Sequence, residues 1–129
     1  KGVKEIRLGS LSPKRDLTFV EDSAEAFRLA VEKPGIDGET IHFGSGKAIT
    51  IGELAQLCLQ TVNSDAQIIT SEERIRPAKS EVELLLCNPQ KAKATLMWEP
   101  QTTLSDGIML TARYLEHRLN EYDTSRYVV

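Results

Sequence analysis

Apolar residues recur along the chain at two different periods, and each change of period marks an element. Residues 16–20, DLTFV, alternate, with Leu17 and Phe19 on one face, which predicts a short strand. From Glu21 to Lys33 the period becomes helical. Val20, Ala24, Phe27 and Val31 fall at i, i+4, i+7 and i+11, on one helix face. Asp22 or Ser23 is the expected cap of that helix, and Pro34-Gly35 stops it. Residues 39–43, ETIHF, alternate again and predict a strand with Ile41 and Phe43 on one side, Thr40 and His42 on the other. Gly44-Ser45-Gly46 ends it in a turn. Thr50-Ile51-Gly52-Glu53 has the form of a capping box, opening a helix whose apolar face carries Ile51, Leu54, Ala55, Cys58 and Val62. Residues 66–70 predict a third strand, and 71–87 a loop with a short extended piece near 84–86. Asn88-Pro89 reads as a cap followed by proline at the first helical position, so a short helix runs to about Leu96. Trp98-Glu99-Pro100 breaks it. Thr103 caps a longer helix with Leu104, Ile108, Leu115 and Leu119 near helical spacing.

Short strands thus alternate with helices, the order of a small α/β layer fold. The glycine-rich piece at 44–46 does not fit GxGxxG, so a complete dinucleotide-binding Rossmann domain is not expected. The length of 129 residues fits a single domain spanning 1–129. With 40% hydrophobic and 27% charged residues, disorder along the whole chain is not expected. Sixteen Lys and Arg against nineteen Asp and Glu give a net charge of −3, which argues against a nucleic-acid partner but leaves room for a local anion site. Cys58 and Cys87 match neither a zinc spacing nor a disulfide framework. The expected setting is therefore cytoplasmic, with no metal. No apolar run is long enough for a membrane span, and no signal peptide is read. The first residue is Lys1, not Met, and the chain is expected to be a piece of something longer or a processed product.

Four segments carry more specific information: KRDLTFVED at 14–22, GETIHFGSGKAITIGELAQL at 38–57, RPAKSEVELL at 76–85 and NPQKAKATLMWEPQTTLSDGI at 88–108. In this order and at these spacings they resemble the C-terminal part of the NAD-dependent nucleotide-sugar epimerases and dehydratases, within the extended short-chain dehydrogenase/reductases. The 4,6-dehydratases are the nearest in look. The resemblance implies a small α/β substrate-binding lobe, with the family's N-terminal Rossmann domain absent. It implies a nucleotide sugar, UDP-, GDP- or dTDP-linked, as ligand, and NAD as cofactor of the intact parent but not of this chain. The family's catalytic YxxxK motif is missing too. The nearest spacing, Tyr114 and Arg118, ends in a residue whose charge is fixed at working pH. No catalytic residue is therefore expected, and the chain alone is expected to be inactive.

The same resemblance supplies site candidates. Arg15 matches the arginine that grips the substrate diphosphate, a task suited to a guanidinium fork. Its alternative is a surface pair with Asp16 or Glu21. Arg76 matches a second phosphate-binding arginine, with Arg74 two residues earlier as a substitute; its alternative is a solvated loop charge. Glu81 matches an acid that accepts from the nucleotide ribose, its alternative being a helix-start or salt-bridge role. His42 stands where the family usually has Asn and, if its strand lines the substrate cleft, bears on substrate choice. Cys87-Asn88 and Met97 are further departures; the family favours glycine at the position of Met97. Trp98 is expected to be a packing anchor whose indole N–H meets a backbone carbonyl, Cys58 a small core residue, and His117 a solvated helix residue. The mixed charges at 71–83 read as a solvated loop or a lid over substrate.

Two functional classes follow. One is the substrate-binding lobe of an enzyme of activated-sugar or surface-polysaccharide biosynthesis, partnered by the Rossmann domain. The other is a stand-alone, non-catalytic remnant that binds a nucleotide or a protein. In both, the face that would meet the Rossmann domain is apolar, and self-association through it is expected.

Overall fold

A computed structural model of the chain describes residues 3–77 and 80–121. Two small sheets and four helices form an α/β arrangement. Strand β1 (Glu5–Leu8) pairs in parallel with β4 (Gln67–Thr70), Glu5 opposite Gln67 and Leu8 opposite Thr70. The second sheet has the order β3-β2-β5. Its central strand β2 (Lys14–Asp16) runs antiparallel to β3 (Ala48–Thr50) and parallel to β5 (Leu84–Leu85). The helices are α1 (Val20–Glu32), α2 (Ile51–Thr61), α3 (Gln90–Leu96) and α4 (Leu104–Glu116). Among the described residues no helix is long and apolar enough to cross a membrane.

Two helix starts follow directly from local sequence. The Thr50 hydroxyl accepts from Glu53 N, and the Glu53 carboxylate accepts from Thr50 N at 2.9 Å and from the Thr50 hydroxyl at 2.7 Å. This reciprocal box satisfies two donors that a bare helix end would leave open. The Thr50 hydroxyl and amide hold the Glu53 carboxyl below the usual carboxylate range. Thr103 also caps α4, its hydroxyl accepting from Asp106 N at 3.1 Å, without the reciprocal backbone bond.

The start of α1 differs from expectation. The strand predicted at 16–20 lies at Lys14–Asp16, because those residues find ladder partners: all three in β3, and Lys14 and Arg15 also in β5. Leu17 to Phe19 peel away, and Phe19 takes the cap position with no side-chain cap bond. Neither Asp22 nor Ser23 caps the helix. Asp22 is buried, and its two carboxylate oxygens accept from Gln101 N and Thr102 N, each at 3.0 Å. Ser23 donates to the Phe19 carbonyl. At α3 the first intrahelical bond runs from Lys93 N to the Pro89 carbonyl, so Pro89 is the cap. Asn88 Oδ1 accepts from Gln90 N, doing the capping work from one residue upstream.

Trp98 is the anchor of the core. It is 3% exposed and packs with Ala26, Ala92 and Leu96, flanked by Leu29, Ala30, Ile36, Ile41 and Phe43. Its ring meets Phe43 edge-on at 5.1 Å between centroids, and its Nε1 donates to the Asp22 carbonyl at 3.0 Å. Residues 39–43 keep the alternation read from sequence, with Ile41 and Phe43 turned inward and His42 exposed. They form no strand, since no neighbouring chain lies in register with them among the described residues. Lys91 Nζ instead ties the segment to α3 through the Thr40 carbonyl at 2.8 Å.

Helix α1 buries a different face from the one predicted. Asp22, Ala26, Leu29 and Ala30 turn toward the core. Val20, Phe27 and Val31 are 68%, 66% and 87% exposed. Both stripes are apolar, so periodicity could not choose between them. A third stripe carries Glu25, Arg28 and Glu32 as exposed ion pairs. On α2 the buried residue is Leu59, while Cys58 and Val62 are exposed, so Cys58 is not a core residue. Leu119 lies exposed beyond the end of α4, in a 3-10 turn at Leu119–Glu121.

Met97 ends α3 with φ 54°, in the left-handed region. The residue is 89% exposed, so burial offsets little of the strain. The backbone thus explains why glycine suits this position. Met97→Gly is expected to raise stability by about 1 kcal/mol, read as a higher urea midpoint; a lowered midpoint would contradict this account of the turn.

Candidate functional site

Successive residues of a strand point to opposite faces, and β2 uses this to separate Arg15 from Asp16. Arg15 reaches the chain just before β5. Its Nη1 donates to the Val82 carbonyl at 2.7 Å and the Lys14 carbonyl at 2.9 Å. Its Nη2 donates to Glu81 Oε1 at 2.9 Å. The two side chains are only 20% and 15% exposed, which sets this pair apart from the exposed pairs elsewhere on the surface. Arg15 pairs with neither Asp16 nor Glu21. The structure therefore brings together two of the sequence candidates, Arg15 and Glu81, from positions far apart in the chain.

Asp16 reaches the chain just after β5. One oxygen accepts from Ser45 N at 2.9 Å and the Ser45 hydroxyl at 2.6 Å. The other accepts from Gly46 N at 2.8 Å and Cys87 N at 3.2 Å. The carboxylate thereby joins β2, the turn at 44–46 and the chain leaving β5. Gly44 is buried against this junction, and a Cβ there would overlap the Cys87 side chain. Gly46 has φ 72°, a conformation glycine adopts freely. Both glycines shape the turn, as expected. Burial and the nearby Asp16 carboxylate push the Cys87 thiol up from its ordinary value, so it is not an activated nucleophile. In the sequence Asp16 stands out only as an alternative partner for Arg15, because the donors it gathers lie about thirty and seventy residues away.

The other candidates stand apart. Arg76 is exposed and makes no ion pair or hydrogen bond with the described residues. Arg74 donates to the Arg7 carbonyl at 2.9 Å, tying the 3-10 turn Glu72–Arg74 to β1. Gly9 permits this approach, because a Cβ there would overlap the Arg74 carbonyl. His42 is exposed in the 39–43 segment and is not brought to Arg15 by any described contact. Lys79 of the mixed charge run lies outside the described residues. Tyr114 is exposed on α4 with the Arg118 guanidinium 4.7 Å from its ring centre, and His117 is exposed at the helix end. An open cleft of about 630 Å³ between β3, α3 and residues 98–104 includes Lys47 and Lys93 but none of the four candidates. Lys93 is held there by Glu99 at 2.7 Å, which raises its pKa. No group of three His, Cys, Asp or Glu among the described residues could hold a metal ion.

Compared with known proteins, residues 1–111 match the family model described as GDP-mannose 4,6 dehydratase. The chain belongs to this family. It is 29% identical over 101 residues to dTDP-4-dehydro-6-deoxyglucose reductase of Escherichia coli, covering 78% of this chain and 30% of that protein. Among solved structures, the UDP-glucose 4-epimerase of Thermotoga maritima, determined with UDP-glucose, superimposes with a TM-score of 0.78 at 30% identity. That match covers 89% of this chain and 36% of the epimerase. The dTDP-glucose 4,6-dehydratase of Bacillus anthracis, in complex with NAD, shares the fold at TM-score 0.76 and 21% identity, over 92% of this chain and 37% of that one. The resemblance read from the four segments is therefore borne out, as is the small α/β fold. The chain spans about a third of the length of these relatives. Relatives of this chain bind nucleotide sugars and nicotinamide cofactors.

Proposed function

We propose that this chain is the substrate-binding lobe of an NAD-dependent nucleotide-sugar 4,6-dehydratase or epimerase, and that Arg15 holds the diphosphate of the sugar nucleotide. The observation that carries this reading is the Arg15 guanidinium, shielded beside β2, held by two backbone carbonyls and paired with one acid, Glu81. A guanidinium so fixed presents its remaining donors in one geometry, as bidentate phosphate recognition requires. Arg76, exposed on the same segment as Glu81, supplies a second cation when that segment lies over a ligand. Glu81 accepts from the ribose, and His42 borders the sugar.

The chain is proposed to hold no NAD of its own. Its one GSG turn cannot cradle a pyrophosphate in the Rossmann manner, since the amides of Ser45 and Gly46 are already turned onto Asp16. Hydride transfer and its catalytic residues then belong to a Rossmann domain, and this chain binds and orients substrate for it in a cytoplasmic enzyme. The apolar stripe of α1 is the face proposed to meet that domain. Alone, the chain is expected to self-associate through it, with a sedimentation coefficient that rises with concentration. A concentration-independent monomer would contradict this.

Calorimetric titration with UDP, GDP and dTDP tests the binding role. Binding of one of them at millimolar or lower concentration is expected, weakened at least tenfold by Arg15→Ala and less by Arg76→Ala. Binding unaffected by Arg15→Ala would remove Arg15 from the site.

A further inference from the structure

The group bound to Arg15 in this structure is an acid of the chain itself. Glu81 Oε1 lies 2.9 Å from Nη2, and both side chains are largely shielded from water. We propose that Glu81 is a resident competitor of the anion site: it occupies the guanidinium until a diphosphate displaces it, so that only ligands able to compensate the released carboxylate bind well. This rests on the reading of Arg15 as the diphosphate anchor.

Three observations carry it. First, the Arg15 head does not depend on Glu81 for its position. Nη1 is held by the Val82 and Lys14 carbonyls, which remain when the carboxylate leaves. Second, the pair is not needed to attach β5 to β2. Lys14 N donates to the Glu83 carbonyl at 2.7 Å, and the ladder sets Lys14 opposite Leu84 and Arg15 opposite Leu85. Third, the pair is sheltered, so its charge balance is poorly screened by solvent. A phosphate arriving while Glu81 stayed in place would set two anions on one fork, and like charges at such range repel strongly.

The exchange has a consequence for ligand choice. A displaced carboxylate is acceptor-only and needs new donors. The hydroxyls of a sugar attached to the same diphosphate can supply them, whereas bare pyrophosphate cannot. Glu81 therefore penalises free phosphates more than it penalises a nucleoside diphosphate. The ligand class it favours carries an anion and vicinal hydroxyls together.

The test compares magnesium-free pyrophosphate with UDP on the 129-residue chain, by calorimetry, for the unchanged protein, Glu81→Gln, Glu81→Ala and the double variant Arg15→Ala/Glu81→Gln. Retention of the backbone amide spectrum shows which Glu81 variant keeps the fold. Glu81→Gln is expected to bind pyrophosphate about tenfold more tightly than the unchanged chain. UDP affinity is expected to gain less than pyrophosphate affinity, because Glu81→Gln also loses the carboxylate's acceptance from the ribose hydroxyls, and the gain should vanish in the double variant. Pyrophosphate affinity that does not rise in either Glu81 variant, while Arg15→Ala still weakens UDP, overturns the proposal and leaves the diphosphate site standing. A rise that persists without Arg15 also overturns it, as a general effect of net charge. Binding of neither ligand to any form overturns the competitor and the diphosphate site together.

Discussion

Trp98→Ala is expected to lower the stability of the folded chain by about 4 kcal/mol. The side chain is 3% exposed and fills the space between α1, α3 and the 39–43 segment. Its removal deletes the edge-on contact with Phe43 and opens a cavity that small neighbours, Ala26 and Ala92, cannot close. It also strips the Asp22 carbonyl of its indole donor, a cost beyond lost apolar contact. Trp98→Phe keeps much of the packing but not the donor, and should cost about half as much. The core has few fully buried members, so a domain of ordinary stability, about 5–15 kcal/mol, loses a large share of its margin. Urea unfolding followed by far-ultraviolet circular dichroism measures both variants. A loss below about 1 kcal/mol for the alanine variant would show that Trp98 is not the anchor.

Asp16→Ala is expected to cost about 3 kcal/mol, despite removing no apolar surface. Four donors converge on this one carboxylate: Ser45 N and its hydroxyl, Gly46 N and Cys87 N. Bonds to a charged acceptor are the stronger kind. Partial access of water to Ser45 and Gly46 keeps the loss below the sum of the bonds. Asp16→Asn is a sharper probe. One oxygen becomes an NH2 that faces amide donors, so the variant should recover little of the loss although it is nearly isosteric. Full stability in the asparagine variant would mean that the carboxylate does not organise the turn. Amide exchange separates local from global effects, since protection should fall first at 44–46 and at Cys87.

These two residues also show what could be read in advance. Trp98 was legible because a tryptophan between a short helix and a proline has few uses except packing, and its indole N–H needs an acceptor when buried. The capping box at Thr50 and Glu53 and the cap at Thr103 were legible because every atom involved lies within three residues. Asp16 was not legible. Its partners come from two distant segments, and nothing near it in sequence says that three backbone amides need an acceptor. The α1 face was ambiguous for another reason. Ala26, Leu29 and Ala30 form as good a stripe as Val20, Phe27 and Val31, and only the position of Trp98 decides which one is buried. Residues 39–43 show the reverse failure. Alternating burial is real there, yet a strand also needs a neighbour, which a one-dimensional pattern cannot supply. In the candidate site, a resemblance supplied Arg15 and Glu81 separately. That they bind each other comes from the register of β5 on β2, which places Glu81 at the entry to the strand.

The most direct test of the central claim is a 15N NMR titration of the chain with the nucleoside diphosphate that binds it, mapped residue by residue. The account predicts the largest amide shifts at Lys14 to Asp16 and at Glu81 to Leu85, with smaller ones near Arg76 and His42 and little change on α2. Shifts centred on the open cleft at Lys47, Lys93 and Thr103, with β2 and residues 81–85 unmoved, would contradict it and place the ligand elsewhere on the chain.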